Sequence, residues 1–201
     1  MGTAATMPRG FAPPSDTRQA RRIAVALAVW AFAYAAYRAY YAVGGTLGMI
    51  GEPVSGERFR AVNAAGAAII LVAAVLPLVA VRVAALRRAL PAVSWIAAVG
   101  CCMHALVDGT LRVLSVTGVH PTELQASFWS SFDRGAADLQ DLLLNEPWFL
   151  IEGLLWGALG LTLVAAHRRR AWVLSAVVAC AALTLVGVLS GLGVIASFHI
   201  G

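Results

Sequence analysis

The chain has 201 residues, of which 60% are hydrophobic and only 12% are charged, and its mean hydropathy is +0.80. This composition excludes an ordinary water-soluble domain, and several uncharged runs of about 18 residues or more predict an all-α, polytopic membrane bundle with five transmembrane helices. The net charge of +5 does not indicate nucleic-acid binding, because the arginines lie at the ends of the apolar runs, where they set topology. No Cys-x-x-Cys pair is present, so neither a redox pair nor a zinc site is predicted.

The chain divides into a short tail and one membrane domain. Residues 1–20 are rich in Pro, Gly, Ala and Thr and are predicted to be a disordered cytoplasmic tail. Residues 21–201 are predicted to form a single five-helix membrane domain. The first apolar run is long and lacks a clear small-residue cleavage site, so it is interpreted as an uncleaved span over residues 22–44 and not as a signal peptide.

The second half of this first span carries a stripe of aromatic side chains and one arginine. Trp30, Tyr34 and Arg38 recur at helical spacing, and Tyr37 lies beside them. One interpretation is an interfacial aromatic belt with Arg38 extending to the lipid headgroups. The other is an aromatic wall of a pocket, with Arg38 stacked on it or paired across it.

The second and third spans follow, separated by an arginine-rich turn. The second is predicted over residues 59–83, with Asn63 near its start and Pro77 near its far end. The third is predicted to begin after Pro91 and to end at about residue 117. It contains a polar stripe at i, i+4 and i+8, formed by His104, Asp108 and Arg112.

Residues 118–147 form the one long connection, and it is acidic. Its polar and apolar residues alternate at roughly helical period from residue 131 to residue 145, which predicts a short interfacial helix. Asp138 and Asp141 are spaced like half of a metal-binding motif, but they are interpreted as solvated loop charges. No metal site is predicted anywhere in the chain.

The fourth span begins at Pro147 and contains a carboxylate between two indoles. Trp148, Glu152 and Trp156 are spaced i, i+4, i+8 and so share one helix face. Ionisable residues at such depth in lipid are candidates for function. The fifth span, residues 171–197, is rich in small apolar residues that favour close helix packing.

The distribution of charge predicts the topology. The tail and the turns near residues 82–88 and 167–170 are basic, whereas the 118–147 connection is acidic. Five spans with these ends place the N-terminus in the cytoplasm and the C-terminus outside, in the plasma membrane. The buried polar residues then fall in the outer half of the bundle, and we expect them to line one polar cavity that opens toward that side.

Two interpretations of this cavity remain open. In the first, Asp108 and Glu152 are catalytic, with Asp108 kept charged by arginine and Glu152 kept neutral among indoles. The substrate-binding residues would then be Trp30, Tyr34, Tyr37, Arg38, Asn63, His104, Arg112, Trp148 and Trp156. In the second, His104, Asp108 and Arg112 form a structural ion-pair network, extended to Glu152 or Arg38, without chemistry.

Four motifs resemble those of small multi-spanning actinobacterial membrane proteins of unassigned function: Tyr37-Arg38-x-Tyr40-Tyr41, Phe59-Arg60-x-x-Asn63, His104-x-x-x-Asp108 and Glu146-Pro147-Trp148-Phe149-x-x-Glu152-Gly153. More loosely, the chain resembles the membrane-bound terpene cyclases of meroterpenoid pathways. That resemblance implies an all-helical membrane enzyme in which acidic residues of the spans start cyclisation by protonating an alkene or an epoxide.

We therefore expect an integral membrane enzyme that acts on a lipophilic prenylated substrate, most specifically a proton-initiated terpene cyclase. Such an enzyme needs a proton donor in a dry site and aromatic faces near the developing carbocation. No cofactor is expected, and the partners are the lipid bilayer and a lipophilic small molecule. The alternative is a non-catalytic membrane protein (an assembly factor, a lipid-binding subunit or a small-solute carrier), and the sequence does not indicate an oligomeric state.

Overall fold

A computed structural model of the chain describes residues 14–122 and 127–195. Within these ranges the chain forms six α-helices and two short strands. The helices are α1 (Pro14–Ala42), α2 (Gly56–Ala80), α3 (Ala84–Val116), α4 (Arg134–Gln140), α5 (Glu146–Leu163) and α6 (Ala166–Gly191), and the strands are β1 (Gly51–Pro53) and β2 (Trp129–Phe132). Residues 1–13 of the predicted tail lie outside the described residues, and α1 already begins at Pro14, six residues before the predicted end of that tail.

Four helices are long and apolar enough to cross a membrane, which confirms the helical, membrane-type architecture. They are Arg18–Ala42 of α1 together with all of α2, α3 and α6. The predicted fourth span corresponds to α5, which has 18 residues and includes the carboxylates of Glu146 and Glu152. Its crossing of the membrane, and with it the count of five spans, stays a prediction.

The predicted start of the third span is wrong. Helix α3 begins at Ala84, and Pro91 lies inside it. Pro91 removes only one N–H donor from the helical hydrogen-bond pattern. Its carbonyl accepts a hydrogen bond from Trp172 Nε1 of α6 at 3.4 Å, and the neighbouring Leu90 is buried in the core. Packing in this turn therefore offsets the loss of one backbone hydrogen bond.

The bundle is built from two closely packed helix pairs. Helix α1 packs along α2 and helix α3 along α5, and α1 also contacts α5, so that these helices meet in one core. The core contains Ala24, Leu27, Leu90, Trp156 and Leu159, all at most 2% exposed. Helix α6 packs along α3 at the edge of the bundle.

A small antiparallel sheet, which the sequence did not predict, is added to the helical architecture. Strand β1, in the loop after α1, pairs with β2 of the long connection, with Gly51 opposite Phe132 and Glu52 opposite Ser131. Gly51 is required there, because a Cβ would collide with the carbonyl oxygen of Ser131. The predicted interfacial helix is present directly after β2 as α4, and a π-helical turn, Asp141–Asn145, joins it to α5.

The contact between α3 and α5 depends on Gly153. A Cβ at this position would lie 2.6 Å from Cys102 Sγ, 3.0 Å from Cys102 N and 3.1 Å from Ala98 O, and the last two are backbone atoms that cannot move aside. We expect Gly153→Ala to lower the free energy of unfolding by about 1–3 kcal/mol, the cost of overpacking. Denaturation of the purified protein in detergent measures this change.

Gly157, one turn further along α5, is the matched control. A Cβ there would meet only Ala98 Cβ at 3.8 Å, an ordinary van der Waals contact. Both substitutions gain the same helix propensity, so their difference isolates the close approach of the two helices. Equal stability of the Gly153→Ala and Gly157→Ala proteins would show that this approach is not needed.

Candidate functional site

A polar cavity of about 400 Å³ lies at the end of the bundle that faces the long connection. Its walls come from α1, α2, α3, α5 and the π-helical turn. The predicted residues that meet in its lining are Tyr34, Arg38, His104, Asp108 and Arg112, joined by Asp141, Asn145, Glu146 and Phe149. The cavity lining does not include the predicted site residues Trp30, Tyr37, Asn63, Trp148, Glu152 and Trp156.

His104 and Asp108 form the expected pair along α3. His104 Nδ1 lies 3.3 Å from Asp108 Oδ2, and both side chains are partly exposed to the cavity. The edge of Phe149 from α5 packs against the imidazole, with the ring centroids 4.4 Å apart. The i, i+4 spacing and this aromatic contact fix the orientation of the imidazole.

The sequence suggested that Arg112 completes an ion-pair network along α3, but in the structure it does not. Its Nε donates to Asp141 Oδ2 at 2.7 Å, and its Nη1 donates to Thr122 Oγ1 at 2.9 Å and lies 3.8 Å from Asp138 Oδ1. Within the described residues Arg112 makes no ion pair with Asp108. Arg112 therefore fastens the long connection to α3.

The interpretation of Asp138 as a solvated loop charge is wrong. Asp138 is 2% exposed, and its two carboxylate oxygens accept hydrogen bonds from Ser115 and Thr122 at 2.5 and 2.7 Å. Asp141, one turn further, is held by Arg112. A buried carboxylate is stable only with such hydrogen bonds and a cation. These partners lie on other segments, so the sequence of the connection alone does not reveal them.

Glu146 is the site residue that sequence reasoning missed. It is the first residue of α5, is 6% exposed and lines the cavity. Its Oε2 is buried and has no hydrogen-bond partner among the described residues. A ligand atom of Glu146 lies within 4.8 Å of ligand atoms of His104 and Asp108, and these three side chains could hold a metal ion. The sequence signals for Glu146 were its place directly before the helix-starting Pro147 and its presence in the motif that ends at Gly153.

Arg38 faces this acidic cluster from the α1–α2 side of the cavity. Its half-buried guanidinium lies against Gly66, where a Cβ would be 3.3 Å from Arg38 Nε. It makes no ion pair with a carboxylate of the described residues. Arg38 therefore neutralises neither Asp108 nor Glu152 in this structure. It lines the cavity instead.

Glu152 lies deeper, six residues along α5 from Glu146, or about 9 Å by helical rise. It is 5% exposed, and its carboxyl group interacts with the indole N–H of Trp156. No cation of the described residues lies within ion-pair distance of it. Glu152 is therefore buried beside the Trp156 indole without a cationic partner among the described residues.

The remaining aromatic residues pack mainly on each other. Trp30 and Trp148 stack at 4.1 Å, and Trp30 Nε1 donates to the Trp148 carbonyl. Tyr34 stacks on the Trp148 ring at 5.5 Å, and its hydroxyl faces Asn145 Oδ1. Tyr37 accepts from Gln140 Nε2. These aromatic side chains therefore pack against one another, and the indoles do not line the cavity.

Asn63, the other predicted residue outside the cavity, is 2% exposed in α2. Its Nδ2 donates to the Phe59 carbonyl at 2.8 Å, and its Oδ1 has no partner among the described residues. The first contact is local to the helix, so it supports a structural role for Asn63.

The site thus has two zones: a charged cavity near one end of the bundle, and an aromatic zone, defined here as the packed rings of Trp30, Tyr34 and Trp148 together with Glu152 and Trp156 deeper along α5. Compared with protein-family models, curated proteins and solved structures, the chain matches none of them. Its function is therefore inferred from the site alone.

Proposed function

We propose that this protein is an integral membrane enzyme that acts on a lipophilic prenylated substrate, and most specifically that it is a proton-initiated terpene cyclase. The observation that carries the proposal is the environment of Glu152. Glu152 is 5% exposed, has no cationic partner among the described residues, and its carboxyl group faces the indole N–H of Trp156. A carboxyl group in a dry, uncharged site is suited to hold a proton for donation.

The two zones match the two ends of such a substrate. The polar acceptor group would occupy the charged cavity, where Arg38 has no carboxylate partner within the described residues. The prenyl chain would extend into the aromatic zone, past the edge contact between Tyr34 and Phe149 at 5.5 Å. Aromatic faces there would stabilise a carbocation by cation–π attraction.

The reaction is an isomerisation. Glu152 donates its proton to the terminal alkene carbon or to the epoxide oxygen, which generates a carbocation. An internal alkene attacks this cation, so that a carbon–carbon bond forms and the ring closes. A base then removes a proton from the cyclised cation, and Asp108, oriented by His104, is the candidate for this base. The product has the mass of the substrate.

We further propose a multi-pass topology in the plasma membrane, with α5 as the fifth span, the N-terminus in the cytoplasm and the C-terminus outside. The arginines at the predicted inner ends and the acidic long connection support this orientation. The cavity would then open toward the outer face. Reporter fusions at the two ends test this, and the same response from both would contradict five spans.

A non-catalytic protein is the second candidate, and the Arg112 contacts favour it. Arg112, Asp138 and Asp141 form a partly buried network that joins the long connection to α3. If all the charged residues around the cavity served only to stabilise the fold, the cavity would bind no substrate.

The test is a conversion assay with membranes that contain the protein. Farnesylated and geranylgeranylated acceptors and their terminal epoxides are supplied, with membranes lacking the protein as the control. We expect a product of unchanged mass that has one alkene fewer when the reaction starts at an alkene, and an opened epoxide when it starts at an epoxide. In heavy water, a reaction that starts at an alkene should place one solvent deuterium on carbon. Absence of an isomer across the whole panel would overturn the cyclase proposal.

A further inference from the structure

The acidic cluster in the cavity also suits a metal ion, and this is independent of Glu152 as the proton donor. With an ion bound, Asp108 and His104 would be ligands, and Asp108 would no longer be the base of the proposed reaction. We propose that His104, Asp108 and Glu146 bind a divalent transition-metal ion of the zinc and manganese class, with its remaining coordination positions open to the cavity. The ligand atoms of the three residues all lie within 4.8 Å of one another.

The separations suit a metal ion. His104 Nδ1 and Asp108 Oδ2 are 3.3 Å apart, which is about the separation of two ligands on a tetrahedral ion with bonds of about 2.0 Å. The ligand atom of Glu146 lies within 4.8 Å of the other two, and binding of one ion would draw it toward them. Phe149 holds the imidazole in place from the other side.

Glu146 supplies an independent reason to expect a ligand. Its side chain is more than nine-tenths buried, and its Oε2 has no hydrogen-bond partner among the described residues. A buried carboxylate oxygen without a partner is costly. Glu146 lines the cavity beside His104 and Asp108, so a cation bound between the three would provide the missing partner.

The net charge of the groups around the cavity also favours a bound cation. The carboxylates that line it are those of Asp108, Asp141 and Glu146, and a fourth carboxylate, that of Asp138, pairs with Arg112. The guanidinium groups of the lining are those of Arg38 and Arg112. Four carboxylates against two guanidinium groups leave a formal charge of −2. One divalent cation neutralises this charge.

The ligand set defines the class of metal. Calcium and magnesium prefer sites made of oxygen only, whereas an imidazole with two carboxylates suits zinc, manganese or iron. Three protein ligands leave at least one position for water or an anionic oxygen. Arg38 lies across the cavity and favours the anionic oxygen.

Zinc binding to the purified full chain in detergent tests the proposal, with a purification tag that contains no histidine. Equilibrium dialysis should show one Zn²⁺ per chain for the wild type. Glu146→Gln and Asp108→Asn should each weaken binding by at least about 100-fold, since even loss of a residue behind a metal ligand costs about 10–100-fold. The matched controls His167→Gln and Glu57→Gln change exposed residues elsewhere and should bind zinc like the wild type.

Cobalt substitution of the wild type provides a readout that needs no variant to fold. The Co²⁺ spectrum should show nitrogen and oxygen ligands only. A strong thiolate-to-cobalt charge-transfer band would place the metal on Cys101 or Cys102 and overturn the proposal. So would equal zinc affinity in all variants, no binding to the wild type, or displacement of zinc by equimolar Mg²⁺. Because substrate is absent, none of these outcomes depends on whether the protein is a cyclase.

Discussion

Glu152→Gln should abolish the proposed cyclisation while the protein remains folded. The amide has the shape of the carboxyl group but no acidic proton, and general acid catalysis by a positioned side chain contributes about 10²–10⁴-fold. The fold should tolerate the change, because Glu152 makes no ion pair within the described residues and the amide oxygen can still face the Trp156 indole. Initial rates of isomer formation in membranes, normalised to protein amount, measure the effect.

Two comparisons make this result specific. Glu57→Gln carries the same chemical change at an exposed site on α2 and should keep the wild-type rate. Glu146→Gln changes a carboxyl group of the charged cavity and should disturb binding of the polar end of the substrate more than the proton transfer. If Glu152→Gln keeps the wild-type rate and Glu146→Gln loses it, the proton donor is not Glu152.

Most of the fold could be predicted from the sequence. A long apolar run in lipid must satisfy its backbone hydrogen bonds internally, and an α-helix does so within a single run. Four predicted spans correspond to α1, α2, α3 and α6. The predicted helix boundaries were less accurate where a local sequence signal indicated the wrong position. Pro91 suggested a helix start, yet tertiary packing holds it inside α3. The two strands have three and four residues, too few for a recognisable alternating pattern.

The site was predictable where its contacts are local. His104 and Asp108 are four residues apart on one helix, and helical spacing alone brings them together. The partners of Arg112 and Ser115 in the long connection are 29 and 23 residues away, and no pattern within one element encodes such distances. Asp138 and Glu146 therefore looked like ordinary acidic residues of a loop, although the fold buries both.

The largest effect on stability is expected from Arg112→Met. This change keeps an unbranched apolar stem but removes the guanidinium group, which leaves the buried carboxylate of Asp138 without its cation. Removal of one partner from a buried ion pair costs about 3–5 kcal/mol. We expect about 3 kcal/mol, because Asp138 still accepts hydrogen bonds from Ser115 and Thr122. Denaturation in detergent, followed by helical circular dichroism, gives the value.

Removing the buried charge as well separates the ion pair from the packing of the arginine. In the double variant Arg112→Met with Asp138→Asn, no uncompensated carboxylate remains at position 138, so part of the lost stability should return. Arg58→Met is the matched control, since Arg58 is exposed and its contacts are the Ser127 carbonyl and the Phe128 ring, and it should change stability by about 0.5 kcal/mol or less. A loss for Arg112→Met as small as that for Arg58→Met would show that the long connection is held to α3 by other contacts.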